Sequence, residues 1–328
     1  MNAVSSPSAD SLRAALAALL DGLPPSRAAQ AVERLIANYR GTTPTDAPVL
    51  RDRSDVAAYA AYRMPATFEA VRGALGALRA AAPDWEPRTH TDVGGGTGAA
   101  SWAVAEAWEE QPPRTAVLDW AEPALALGRE LAAGVFEAEW RRERIGAALS
   151  LPASDLVTVS YVLKELTEAD RAALVTEAAR AAQAVVIVEP GTPDGYERII
   201  AARTRLIDAG FTVAAPCPHS GACPIVPGTD WCHFSARVSR SSLHRKVKGG
   251  SLPYEDEKYA YVAAVRFPVT PAASRITRRP QIRKGQVLLE LCGPEGLGRD
   301  TVTKRHGPLY KQARDAEWGD SWPPEEEL

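Results

Sequence analysis

Three of the four cysteines in the chain, Cys217, Cys223 and Cys232, fall within 16 residues, and Cys292 follows much later, a spacing of C-x5-C-x8-C-x59-C. Thiolates are soft ligands, and four of them suit a tetrahedral zinc ion or an iron–sulfur cluster. The surrounding stretch, APCPHSGACPIVPGTDWCHF at 215–234, is polar and proline-rich. It buries too little apolar area to order itself, so three thiols converge there only if the loop folds around something. His219 or His233 can also take the place of Cys292, giving a zinc site of three cysteines and one histidine. Free buried thiols are the third reading, with Cys292 in VLLELC as a core residue. Spacing alone leaves zinc, a cluster and no metal open.

A second constellation is DVGGGTG at 92–98, after the apolar run THTDV and before the helical stretch AASWAVAEAWEE. Glycines at a strand-to-helix junction let the chain turn sharply and bring backbone N–H groups close to a ligand at the carboxyl ends of the strands. The dinucleotide pattern G-x-G-x-x-G/A is met by Gly94, Gly96 and Ala99. The pattern D-x-G-x-G-x-G, met by Asp92, Gly94, Gly96 and Gly98, resembles S-adenosylmethionine-dependent methyltransferases, which implies that Asp92 organises the loop near the methionine end of that cofactor. Asp119 closes the next strand and is placed to accept hydrogen bonds from ribose hydroxyls in either case. A purely structural glycine turn is the remaining alternative. After the fourth strand, where such enzymes often carry an Asn/Asp-Pro-Pro-Tyr-like motif or a catalytic cysteine, the chain reads VSYVLKEL at 159–166. Tyr161 there, and Glu189 in VVIVEPGTP, are candidates to line the cofactor pocket, and no catalytic residue is assigned.

These sites need a frame. Residues 8–40 show two helical patterns, and 56–82 two more, expected to break at Pro65. From Thr89 short apolar runs alternate with helices: THTDVG, TAVLDW, DLVTVSYVL, AQAVVIVEP, FTVAAP and finally KYAYVAAVRFP at 258–268. Runs buried on both faces with helical connections predict an α/β fold with a mainly parallel central sheet, Rossmann-like and of the class I methyltransferase type. The cysteine loop lies between two late strands. The expected domains are a helical N-terminal domain (1–86), the methyltransferase-like domain (87–268) with a cysteine-rich basic insertion (215–257), and a basic, β-rich C-terminal extension (269–328) that carries the fourth cysteine.

The 38 Lys and Arg against 41 Asp and Glu give a formal charge of -3, but the charge is segregated: 237–315 holds 17 basic against 7 acidic residues. A field of that sign attracts polyanions. Arg237, Arg240, Arg245, Lys246 and Lys248 crowd the segment after the cysteine loop, and Arg275, Arg278, Arg279, Arg283 and Lys284 crowd the one before Cys292. One centre ligated by Cys232 and Cys292 would gather both runs on one phosphate-facing surface. No recognition helix for duplex DNA is visible. Tyr259 and Tyr261 share a strand face and are expected in the core. No apolar run reaches the length of a membrane span. The N-terminus lacks the blocks of a secretory signal, and a reducing cytoplasm is the expected compartment.

The Cys-Pro steps at 217–218 and 223–224 have a faint ferredoxin-like character. Together with YAAYRMPATFEAV, DVGGGTG, SYVLKEL, VVIVEPGTP, CPHSGACP, WCHFSARVSRSSLHRKVKGG, YEDEKYAYV, RPQIRKGQVLLELCGPEG and GPLYKQARDAEWGDSWP, spread over 59–323, they resemble the methyltransferase-like proteins of the small ribosomal subunit. Members of that family, bacterial and mitochondrial, act in assembly of the small subunit. The resemblance implies that Cys217, Cys223, Cys232 and Cys292 hold a [4Fe-4S] cluster, with zinc as the alternative, and that the partner is small-subunit ribosomal RNA in a pre-ribosomal particle. S-adenosylmethionine is the cofactor expected from the glycine pattern, and the missing Asn/Asp-Pro-Pro-like motif favours an assembly role over active RNA methylation. Oligomeric state is not legible.

Overall fold

The computed structural model describes residues 6–20, 53–226, 228–241 and 251–324, with isolated positions at 26, 29–30, 32–33 and 245. Most of the second expected N-terminal helix, and Lys246 and Lys248, lie outside the described residues. Eight strands make the main sheet: β1 (Thr89–Val93), β2 (Arg114–Asp119), β3 (Ala138–Arg142), β4 (Ser154–Ser160), β5 (Ala182–Pro190), β6 (Thr212–Ala215), β7 (Phe234–Ser239) and β8 (Tyr254–Val265). Their order is β3-β2-β1-β4-β5-β8-β6, with β7 also on β8. The first five pair in parallel. β8 runs antiparallel to β5, β6 and β7, so the sheet is mixed.

That far end explains where the cysteines go. β6 pairs with Ala263–Val265 of β8, and β7 with Tyr254–Tyr259, both antiparallel and both on the edge away from β5. They are two halves of one strand line, interrupted by the excursion 216–233. The cysteine loop therefore leaves and rejoins the sheet beside the middle of β8.

Helices α1 (Ala9–Leu20) and α2 (Arg53–Ala81) share one apolar core with α3 (Ala99–Ala107) and one face of the sheet. The expected break at Pro65 does not occur: α2 runs through it. An internal proline costs a helix about 3 kcal/mol, and here packing outweighs it, with Val56, Ala60, Met64, Phe68, Val71 and Leu75 all buried on the sheet side. Helices α4 (Glu122–Ala132), α5 (Glu168–Ala181) and α6 (Pro193–Asp208) connect the strands. α6 starts at Thr192, whose side chain accepts from the Gly195 N–H, a standard N-cap.

Two strands carried no signal in the sequence. β3, AEWRR, is an edge strand with mostly exposed, charged residues, and β7, FSARVS, sits in the basic stretch. Residues 274–322 form a second, antiparallel sheet, β9 (Ser274–Ile276), β10 (Gln281–Arg283), β11 (Gln286–Gly293), β12 (Gly296–Thr303) and β13 (Ser321–Trp322), with helix α7 (Pro308–Asp315). Its small core holds Ile276, Val287, Leu289, Val302, Ala313 and Trp322.

Candidate cofactor cleft and metal centre

The glycine loop is built from beneath. Asp92 is fully buried at the end of β1, where its carboxylate accepts from Ser101 Oγ at 2.8 Å and Thr158 Oγ1 at 2.9 Å. Thr158 gives its single proton to Asp92, so His90 Nε2, 2.8 Å away, is the donor to Thr158. Burial keeps His90 neutral, its pKa lowered to about 3. Asp92 thus ties β1, β4 and the start of α3 together and does not point at a ligand. Burial also pushes its pKa up to about 6. Because the folded form holds the proton more tightly than the unfolded chain, the stability that Asp92 confers falls as pH rises from about 4 to about 6. Thermal melts of Asp92→Asn against wild type should therefore shift in favour of the variant by about 2 kcal/mol across that window. A difference that does not change with pH would remove this account of Asp92.

Above Asp92 the loop turns back on β2. The N–H groups of Gly94 and Gly95 donate to Leu118 O at 2.7 and 3.2 Å, and Gly98 N donates to Gly95 O at 2.7 Å. Gly94 and Gly98 have positive φ, and a Cβ at either would lie 2.3 Å from Val162 Cγ2 or 2.7 Å from Trp140 Cη2. Gly96 differs: φ is also positive, but the nearest atom to a Cβ there is Asp119 Oδ2 at 3.8 Å. A side chain at 96 would fill the space over Asp119, so this glycine keeps a cradle open. Asp119 accepts from Gly96 N at 2.9 Å and from Ala121 N at 2.8 Å. Each oxygen is left with acceptor capacity for a ribose hydroxyl.

The other expected cofactor residues are already engaged. Glu189 is fully buried, accepting from Leu163 N at 3.0 Å and ion-paired with Arg198 Nε at 2.7 Å. Tyr161 donates from its hydroxyl to Glu257 at 3.0 Å, and Arg63 from α2 meets the same carboxylate at 3.1 Å. Tyr161 has a φ of 60°, unusual for a residue with a side chain. Glu165, in the short helical turn that follows β4, is exposed although protein atoms crowd its carboxyl. Its pKa rises to about 7, first through burial, then through the charges of Asp119 and Glu189.

Beside α6, Cys217, Cys223, Cys232 and Cys292 line one cavity of about 40 Å³, together with Tyr196 and Arg203 of that helix. A void of that size holds roughly three water-sized bodies. Tyr196 Oη lies 3.1 Å from Cys223 Sγ, and His219 Nε2 lies 4.0 Å from Cys292 Sγ. His233 is packed against the rings of Trp231 and Trp318. Among the described residues, no three His, Cys, Asp or Glu side chains close to the spacing needed to hold a single ion. Burial pushes the Cys217 and Cys232 thiols up, and burial together with repulsion from thiolates at Cys217 and Cys223 pushes Cys292 up to about 12. Against burial, the guanidinium of Arg203 favours the thiolate of Cys217. Arg203 is itself buried, and among the described residues its Nε has no hydrogen-bond partner. Four soft donors around a void, with an unpartnered cationic N–H beside them, fit an anionic thiolate-bound centre.

Cys292 arrives from the second sheet, where β11 sets it opposite Arg275 and Leu297. Arg275 is buried, donating to Pro216 O at 3.0 Å, Gly319 O at 2.9 Å and Ser321 Oγ at 3.3 Å. Arg278 pairs with Asp230 at 2.5 Å and donates to Trp231 O at 3.2 Å. Both were expected on a phosphate-facing surface. Both instead staple the second sheet to the cysteine loop, because backbone carbonyls freed by that irregular loop need donors. Arg240 is half-buried against Glu255. Arg237, ion-paired with Asp256 and 4.2 Å over the Tyr254 ring, is exposed, as are Arg245, Arg279, Arg283 and Lys284. Tyr259 and Tyr261 are core residues packed around Phe234.

The sequence family described as mitochondrial small ribosomal subunit Rsm22 matches residues 53–323, which include the glycine loop and all four cysteines. The chain belongs to the Rsm22 family. Among curated relatives, the human ribosome assembly protein METTL17, mitochondrial, is 31% identical over 288 residues, covering 81% of this chain and 62% of the human protein. The Rsm22-cox11 tandem protein 2, mitochondrial, of Schizosaccharomyces pombe is 29% identical over 182 residues, covering 42% of this chain and 24% of that protein. This Rsm22-family chain therefore spans less than two thirds of the length of either relative. Among solved structures, the putative RNA methyltransferase PH1948 from Pyrococcus horikoshii aligns with a TM-score of 0.40 at 15% identity, covering 72% of this chain and 96% of that one. The magnesium protoporphyrin IX methyltransferase of Synechocystis PCC 6803, solved with S-adenosylhomocysteine, gives 0.40 and 15%, covering 62% and 84%. Likeness at that level assigns no function to this Rsm22-family chain. Among the described residues no helix is long and apolar enough to cross a membrane.

Proposed function

We propose that this chain is an assembly factor of the small ribosomal subunit that binds its RNA, with an S-adenosylmethionine-binding α/β body and a [4Fe-4S] cluster on Cys217, Cys223, Cys232 and Cys292. The observation that carries it is the cysteine cavity. Three thiols from the loop of the first sheet and one from the second sheet face one void, and the exposed cations Arg237, Arg279, Arg283 and Lys284 lie on the strands and turns that lead into and out of it. Zinc would draw four sulfurs to about 2.3 Å from one point, whereas a cluster occupies the space between them. The void therefore supports the cluster. Bound there, it would supply a rigid cross-link between the sheets, and folding energy with it. Family membership and the likeness to the human ribosome assembly protein METTL17 support ribosome assembly.

The open cradle over Gly96, with the free acceptor capacity of Asp119, supports S-adenosylmethionine. When bound, that cofactor supplies an activated methyl group. This chain's residues hold the loop through Asp92, accept from the ribose through Asp119, and close the far wall with Val162 and Tyr161. Methyl transfer to RNA is the second reading. One feature favours it: Glu165, in the short helical turn just past β4 and with its carboxyl pKa raised, is a group able to take a proton at the strand ends. Against it stands Tyr161, whose hydroxyl is spent on Glu257. Crosslinking in cells followed by sequencing should enrich small-subunit ribosomal RNA, and no enrichment would defeat the assembly reading. A methyl mark on that RNA that is lost with the protein, and restored by purified protein with S-adenosylmethionine, would promote the enzyme.

A further inference from the structure

We infer that Arg203 is a positioning residue for the metal centre: its Nη2 holds the loop between Cys217 and Cys223 in its ligating shape, while its buried Nε–H is reserved for the sulfur of the bound cluster. The inference rests on the cluster reading above. Arg203 sits on α6, seven residues after Tyr196, and both side chains line the cysteine cavity. It is 4% exposed. Nη2 donates to His219 O and to Gly221 O, each at 2.8 Å, the two carbonyls that shape the turn between the first two cysteines. These acceptors are neutral, and among the described residues Nε has no hydrogen-bond acceptor, while the guanidinium as a whole favours the thiolate of Cys217, one of the proposed ligands. A buried guanidinium is tolerated when an opposite charge or full hydrogen bonding compensates its lost hydration. The described residues give Arg203 neither in full.

Arg275, the other buried arginine on the cavity, marks the contrast. Its Nε and Nη1 are spent on Pro216, Gly319 and Ser321, so it is a staple with little left to offer. Four thiolates outweigh the positive charge of a [4Fe-4S] core, so a loaded centre is an anion with sulfur acceptors facing the cavity. It supplies both things that Arg203 lacks. Hydrogen bonds to cluster sulfurs and nearby charge set cluster potential and retention.

The test uses the full chain purified without oxygen, as wild type, Arg203→Gln and Arg203→Lys. Arg203→Gln should load iron and labile sulfide but lose iron to a chelator roughly 10-fold faster or more, the usual size of an outer-shell effect. Its electrochemical midpoint should move to a more negative potential, because a cation that favours the reduced cluster has gone. Arg203→Lys should recover the midpoint better than the retention rate, since it keeps the charge without the planar fork. A loaded Arg203→Gln with wild-type midpoint and wild-type retention overturns the inference alone. Wild-type protein without labile sulfide overturns the cluster reading, and the inference with it. Should Arg203→Gln fail to fold, pulsed EPR of the reduced wild type grown with 15N-arginine decides: a nitrogen coupling that Arg203→Lys removes supports the contact, and no coupling in wild type overturns it.

Discussion

Cys292→Ser should empty most of the metal centre. Wild-type protein prepared without oxygen is expected to be brown, with about four irons and four sulfides per chain as a cubane on four cysteines requires, and the variant should retain less than half of that. The three other ligands sit on one loop, while Cys292 is delivered by β11 of the second sheet. Removing it breaks the long-range cross-link and leaves Arg275 and Arg278 as the staples on that side. Protease should then cut more readily at the 266–274 connection, because a cross-link lost from the folded state is stability lost. Unchanged metal content in Cys292→Ser would make His219, 4.0 Å from Cys292 Sγ, the fourth ligand. Stoichiometric zinc with no labile sulfide in the wild type would replace the cluster with zinc.

The second large effect is on RNA. Reversing Arg279, Arg283 and Lys284 to glutamate should weaken binding to small-subunit RNA on the order of 100-fold near physiological salt, and lower the slope of log K against log salt by about 2 units. Each lost phosphate contact removes roughly 0.7 to 0.9 of that slope through counterion release. All three side chains are exposed. Arg275→Gln is the discriminating control. It sits in the same arginine-rich run but is buried, so it should lower cluster retention and thermal stability and leave the salt slope of the folded fraction unchanged. An equal loss of slope in both variants would mean that the buried staple also reaches phosphate, contrary to its three internal hydrogen bonds.

Local signals carried most of the frame. Strands buried on both faces, such as DLVTVS and AQAVVIVEP, carry runs of valine, leucine and isoleucine without strict alternation and announce themselves. The glycine loop is equally legible, since positive φ at 94, 96 and 98 admits few other residues. Pro65 misled because a local helix penalty was set against a burial that no local window contains. β3 escaped because an edge strand keeps its charges in water and shows no alternation.

What the sequence by itself determined is the kind of chemistry: four thiols, a glycine turn with an acid on either side, and a basic final third. Only the tertiary structure decided which residues are free to perform it. Asp92 and Glu189 are spent inside the protein and Asp119 is not; Arg275 and Arg278 hold a loop, and Arg279 and Arg283 face solvent. Arg203 gave no signal, being one arginine among several on an amphipathic helix. The physical reason is common to all of these. A polar side chain's role depends on whether a buried carbonyl, carboxylate or N–H nearby lacks a partner, and that need arises where chain segments far apart in sequence meet.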